Sequence, residues 1–180
     1  LRIRTYPDPV LRRRAEPIET IDRNVREVAL KMIELMFQAD GIGLAGPQVG
    51  LPWRIFVAHV PETDDRSAES DPVTATTEPR VYINPTITDP TGPLEASEEG
   101  CLSLPDIRGD ILRPSAVTIS ALDIEGQPFT QTGADLLARC WQHEADHLDG
   151  VLIIDKMPQM SRLKNRAAIR ALERQSGDLL

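Results

Sequence analysis

Apolar residues recur three and four positions apart at Val25, Val28, Ala29, Met32, Ile33 and Met36, the pattern of a helix laying one stripe on a core. Asn24, with Glu27 three residues on, supplies a capping box for its start, and Gly41 a left-handed stop for its end. β-rich segments follow at 53–60, 80–84 and 116–122, and Gly126-Gln127 opens a short one at 128–131. Gly133 then gives way to a second helical stretch, 134–148, closed by the Asp149-Gly150 turn. Pro158 restarts the chain into a terminal helix ending near Gln175. Strands in the middle with helices on both sides, and no regular βαβ alternation, predict an α+β fold. In it, antiparallel β-sheets pack around a central helix, 134–148, with an N-terminal and a C-terminal helix beside them.

The stretch 61–80 lacks any such period. Glu62, Asp64, Asp65, Glu69, Asp71 and Glu78 face two arginines there, which predicts a solvated surface loop without a binding role. The rest of the composition is ordinary: 180 residues, 41% hydrophobic and 27% charged, suit a single domain over 1–180. A net charge of −8 excludes nucleic-acid binding through the whole surface, and no specific DNA binding is expected. No apolar run approaches the ~18 residues of a membrane span, and no basic n-region precedes an apolar core at the start. The two cysteines, Cys101 and Cys140, are too few for a disulfide framework, so a reducing, cytoplasmic setting is expected.

Two of the three histidines stand in His143-Glu144-Ala145-Asp146-His147, inside the second helical stretch. Positions i and i+4 lie one turn apart on one helix face, so both imidazoles can grip one metal ion. Glu144, ~100° around the helix from His143, is placed as a general base toward an attacking water rather than as a ligand. The bland alternative is a polar helix face with two incidental histidines.

A catalytic metal needs a third protein ligand and an open position. The continuation HExxHxxGxxH fails, because Ile153 stands where its third histidine belongs. Glu173 is a carboxylate candidate within a basic helix, and Cys101 in Glu98-Glu99-Gly100-Cys101-Leu102-Ser103 is a thiolate candidate. A lone cysteine is otherwise a small buried hydrophobe. Gly41-Ile42-Gly43-Leu44-Ala45-Gly46-Pro47-Gln48 lacks the Lys-Ser/Thr of a phosphate loop. It suits a cleft lined by bare backbone, with Gln48 offering a neutral donor to a developing oxyanion.

Together the segments GIGLAGPQ at 41–48, EGCLS at 99–103 and QHEADH at 142–147 resemble, in order and spacing, the three signatures of the peptide deformylase family. The likeness runs from Tyr6-Pro7-Asp8-Pro9 to Asp155 and treats 61–80 as a variable insertion. It implies a metal-dependent hydrolase that removes the formyl group from the N-terminal formyl-methionine of nascent polypeptides and releases formate. It implies that Cys101, His143 and His147 bind one ion, by family habit Fe(II), replaceable by nickel, cobalt or zinc. Glu144 would be the general base. Gln48 and the backbone N–H of Leu102 would hold the oxyanion, and Ile42, Gly43 and Gly100 would bind the substrate backbone. Leu136, Cys140 and the surroundings of Glu99 would form the methionine pocket, and Arg108 would support the cleft mouth.

Two departures from the family pattern stand out. Gly46 replaces a usual alanine and is expected to loosen the loop holding Gln48, while Trp141 replaces a smaller residue and is expected to reshape the pocket wall. The terminal helix, 158–176, carries Arg162, Lys164, Arg166, Arg170 and Arg174 against Glu173 alone. The resemblance implies docking of this helix beside the ribosomal exit tunnel, in keeping with a basic surface near RNA. The alternative is a solvated face opposite a stripe of Leu163, Ala167 and Leu172.

Overall fold

The computed structural model describes residues 1–177, with side chains to 174; the last three positions of the expected domain, and the side chains of 175 and 176 in the expected terminal helix, lie outside the described residues. Five strands form one antiparallel sheet in chain order: β1 (Gly43–Ala45), β2 (Ile55–Ala58), β3 (Arg80–Cys101), β4 (Leu104–Leu122) and β5 (Pro128–Ala134). Among the described residues the chain thus builds a single sheet where several were expected.

Side-chain alternation explains how that sheet carries two cores. Ile55 and Val57 of β2, with Val81 and Ile83 of β3, face α1 (Arg23–Gln38), whose Val25, Ala29, Met32 and Met36 fill that side. Phe56, Ala58 and Tyr82 point the other way, into a core with Leu137, Ala138 and Trp141 of α2 (Asp135–Leu148). Both faces of β2 are covered, so it reads as an unbroken apolar run. α2 touches every strand of the sheet.

Local chemistry corrects several expectations. Asp22, not Asn24, caps α1 by accepting from the Val25 N–H at 2.9 Å. The left-handed residue after α1 is Asp40, at φ 54°, and not Gly41. β3 and β4 are far longer than the predicted segments and make a bulged hairpin whose β3 strand is exposed from Thr88 to Glu98.

Between 61 and 79 the chain forms no named element, Arg80 already belonging to β3, but it is tied down toward its end. Thr76 is buried, and its hydroxyl meets His59 Nδ1 at 2.9 Å. Past α2 lies a short α3 (Ile153–Lys156), and the terminal helix is divided into α4 (Gln159–Lys164) and α5 (Arg166–Gly177). Asn165 sits at the break, donating to the carbonyls of Ser161 and Arg108 at 2.9 and 2.6 Å. The inward stripe of α5 is Ala168, Ile169 and Leu172, packed on a third core around Leu11, Ile107 and Ile154; Leu163 is exposed.

Candidate metal centre and active site

The site is assembled from the start of the sheet, the β3–β4 turn and α2. Helical spacing sets His143 and His147 one turn apart with ring centroids 5.0 Å from each other. Cys101, the last residue of β3, comes from a distant part of the chain, and its Sγ lies 3.2 Å from His147 Nε2. One donor atom from each of Cys101, His143 and His147 falls within 4.8 Å of the others. Glu173 instead accepts from the Tyr6 hydroxyl at 2.9 Å and belongs to no such group among the described residues.

The cluster fits a transition metal. His147 Nδ1 and Glu144 Oε2 are buried with no hydrogen-bond partner, an unusual condition for interior polar atoms. Burial lowers the His147 pKa well below its ordinary value. A thiol with two imidazoles is a donor set suited to zinc or iron-group ions.

Around the cluster, Glu99 organises a buried ion network. Its carboxylate accepts from Arg113 Nε and Nη2 at 2.6 and 2.9 Å, and from Arg139 Nη1 at 2.8 Å. It also meets His143 Nδ1 at 3.0 Å. Burial favours the neutral acid, but the bonds from Arg113 and His143 outweigh it and hold the Glu99 carboxyl well below the usual carboxylate range. With Nδ1 engaged by a carboxylate, Nε2 is the nitrogen of His143 left to face the cluster. Arg113 also reaches Asp146 at 2.8 Å, and Asp146 in turn pairs with Lys156 at 2.9 Å.

Gln48, buried in the short 3-10 turn Gly46–Val49, is oriented by its own backbone. Its Oε1 accepts from the Ala45 N–H at 2.8 Å, so Nε2 points toward Ser103 Oγ at 3.3 Å and Cys101 Sγ at 3.6 Å. Glu144 projects from α2 against Gly43. A Cβ on Gly43 would stand only 2.7 Å from the Glu144 Cδ, so the glycine is what admits the carboxylate. Burial raises the Glu144 carboxyl to about 7.

A cavity of about 320 Å3 opens onto these groups. Its walls include Ile42, Gly43, Gln48, Glu99, Gly100, Cys101, Leu102, Arg108, Leu136, Cys140, His143 and Glu144; His147 lies behind them. Glu99 reaches the wall with both oxygens already engaged by Arg113, Arg139 and His143. Arg108 is exposed, 3.8 Å from Glu98. The Ile42 carbonyl already accepts from the His59 N–H at 2.8 Å.

Trp141 does not shape the cavity. It is fully buried on the opposite core, where Gly133 makes room for its ring and Tyr82 meets it edge-on at 5.9 Å. Gly46 does not loosen its loop either: a Cβ there would lie 2.6 Å from the Trp53 carbonyl oxygen, so the close approach of the backbone demands glycine. Sequence reasoning missed Arg113, Arg139 and Asp146. Their one signal was Arg113 in register with inward-facing Ile107 and Ile111, a charge at a core position that needs a buried partner.

Residues 1–163 match the family model described as polypeptide deformylase. The chain belongs to that family. It is 41% identical to a peptide deformylase of Azotobacter vinelandii over 177 residues, 98% of both chains. It is 38% identical to one of Maricaulis maris over 172 residues, 96% of this chain and 91% of the relative. The crystal structure of peptide deformylase from Plasmodium falciparum superposes with a TM-score of 0.86 at 38% identity, covering 98% of each chain. The deformylase fold therefore places this chain among the hydrolases that remove N-formyl groups from nascent polypeptides, and deformylases are metalloenzymes.

Proposed function

We propose that Cys101, His143 and His147 hold one Fe(II) ion, replaceable by nickel, cobalt or zinc, and that α2 with its HExxH sequence is the centre of one catalytic domain. The observation that carries this reading is the convergence of a thiol and two imidazoles within 4.8 Å beside one cavity. When bound, the ion supplies Lewis acidity toward the formyl group.

The remaining chemistry belongs to the chain. Glu144 takes a proton from the attacking water; its burial makes it a stronger base than an exposed carboxylate. It then delivers that proton to the departing nitrogen as the formyl C–N bond breaks, giving formate and a free α-amine. Gln48 Nε2 and the Leu102 N–H donate to the oxyanion of the tetrahedral adduct. Backbone groups of Ile42, Gly43 and Gly100 align the extended substrate, with the Ile42 N–H favoured over its engaged carbonyl. Leu136 and Cys140 receive the methionine side chain. Burial pushes the Cys140 thiol up, so it meets that thioether as a neutral surface. Glu99 acts through His143, and Arg108 flanks the mouth.

The basic terminal helices support a second proposal. Arg162, Lys164, Arg166, Arg170 and Arg174 are all exposed, a surface suited to ribosomal RNA near the exit tunnel. Deleting residues beyond Lys156 should abolish salt-sensitive ribosome association; undiminished association would end the proposal. The acting compartment is then the one where ribosomes work and thiols stay reduced, the cytoplasm.

Formate release from formyl-Met peptides by anaerobically purified protein, with metal analysis, tests the main reading. One ion per chain and formate release are expected, both lost in Cys101→Ser. Full metal content in that variant would contradict it.

A further inference from the structure

The first residues of the chain hold two parts of the active site without entering the cavity. The Arg4 N–H donates to the Gln48 carbonyl at 2.7 Å, and the Tyr6 N–H donates to the Ser103 carbonyl at 2.8 Å. N–H groups two residues apart point to one side of an extended segment and stand about 7 Å from each other, so a single short segment meets both carbonyls. Neither Arg4 nor Tyr6 lines the cavity.

Those carbonyls belong to the two segments that carry the proposed oxyanion donors. Gln48 is buried in the Gly46–Val49 turn, and Ser103, buried as well, follows Leu102 in the two-residue turn between β3 and β4. Gln48 and Ser103 stand 55 positions apart in the chain, and no strand pairing joins their turns directly. Their side chains meet at 3.3 Å, a long bond for an amide and a hydroxyl. The segment at 4–6 is itself well anchored. Ile3 packs on the core of α1, and Tyr6 packs on the third core around Leu11 and Ile107. The Tyr6 hydroxyl donates to Glu173 at 2.9 Å, and the Arg12 guanidinium lies 5.7 Å from its ring centre. Side chains thus fix the segment at both ends, and its backbone spans the gap between the two turns.

We propose that residues 4–6 are a positioning brace for the oxyanion site, in which the Arg4 and Tyr6 N–H groups set the spacing between Gln48 Nε2 and the Leu102 N–H so that both converge on one oxygen. Donors that share one developing charge act only where surrounding bonds hold their geometry beforehand. The Arg4 bond holds the backbone from which the Gln48 side chain extends, and the Tyr6 bond holds the turn that contains Leu102. The inference rests on the reading of Gln48 and Leu102 as oxyanion donors.

Its test compares Arg4→Pro, which deletes the N–H, with Arg4→Ala, which keeps it. In formate release from a formyl-Met peptide by the metal-loaded enzyme, kcat is about ten-fold lower for Arg4→Pro than for Arg4→Ala, with KM and metal content alike. An ester in place of the Arg4 amide, which removes the same hydrogen and keeps the side chain, lowers kcat in the same way relative to the unmodified enzyme. In a Gln48→Ala background the difference between Arg4→Pro and Arg4→Ala disappears, because the donor that the brace positions is already gone; a general loosening of the fold would add to that background in full. Equal kcat in the two Arg4 variants and an ester without effect, or a difference that survives Gln48→Ala undiminished, overturns the brace and leaves the oxyanion reading standing. Wild-type kcat in Gln48→Ala itself overturns that reading and the inference with it.

Discussion

Gly43 gives Glu144 its place: a Cβ at this glycine would stand 2.7 Å from the Glu144 Cδ and 2.8 Å from its Cγ. Both residues are buried, so the carboxylate cannot simply swing aside. Gly43→Ala should therefore displace the Glu144 carboxylate, the proposed general base, while leaving Cys101, His143 and His147 untouched. A misplacement near 1 Å costs about 10²-fold in rate. Formate-release kinetics with metal analysis check this, and a variant of wild-type activity would show that Glu144 has no need of that position.

Gln48→Ala should lower kcat by ~10²–10³, the usual cost of one oxyanion donor, with metal content unchanged. The Gln48 amide is fixed by the Ala45 N–H and so pays little ordering cost when it donates. A change confined to KM would instead make Gln48 a substrate-binding group.

Arg113 is 2% exposed and neutralises Glu99 and Asp146 together. Arg113→Met should destabilise the protein by up to about 3–5 kcal/mol, because it takes two bonds from the buried Glu99 carboxylate and one from Asp146, leaving Glu99 to Arg139 and His143 and Asp146 to Lys156. Urea unfolding measures that loss. Glu99→Gln, which removes the charged partner of His143, should weaken metal affinity ~10–100-fold. A fully stable Arg113→Met protein would show that the network carries little of the fold.

These residues also mark the limits of what the chain discloses by itself. The stripe of α1 and the helical setting of His143 and His147 were legible, because period is a local property; the nearness of Cys101 to them is not local, and only the family resemblance implied it. The long hairpin was not: Pro85, Pro90, Pro93, Pro105 and Pro114 interrupt the strand pattern, and exposed residues on β3 erase its alternation. Bulges between Thr88 and Leu94 absorb the irregularity. The α1 cap went to Asp22 over Asn24 because either side chain suits the role and only backbone geometry chooses. Trp141 sits on the core face of α2, a choice that depends on Gly133 of β5 leaving a space for its ring.

Asp155 supplies a pH dependence. Burial disfavours its charged form, but Arg12 and the Leu152 N–H, the latter at 2.8 Å, outweigh it and lower its pKa. With the folded value below the unfolded one, its stabilisation is full above the unfolded carboxylate range and is lost as pH falls through the folded value. Arg12 and Asp155 are each more than a third exposed, so the contribution is at most about 1 kcal/mol. The stability gap between wild type and Asp155→Asn should accordingly shrink between pH 7 and strongly acid solution in urea melts; a gap independent of pH would contradict the assignment.

X-ray absorption at the metal edge of anaerobically purified protein probes the centre most directly. One sulfur and two imidazole nitrogens in the first coordination shell is the expected spectrum. A first shell of nitrogen and oxygen alone in the wild-type protein would contradict it.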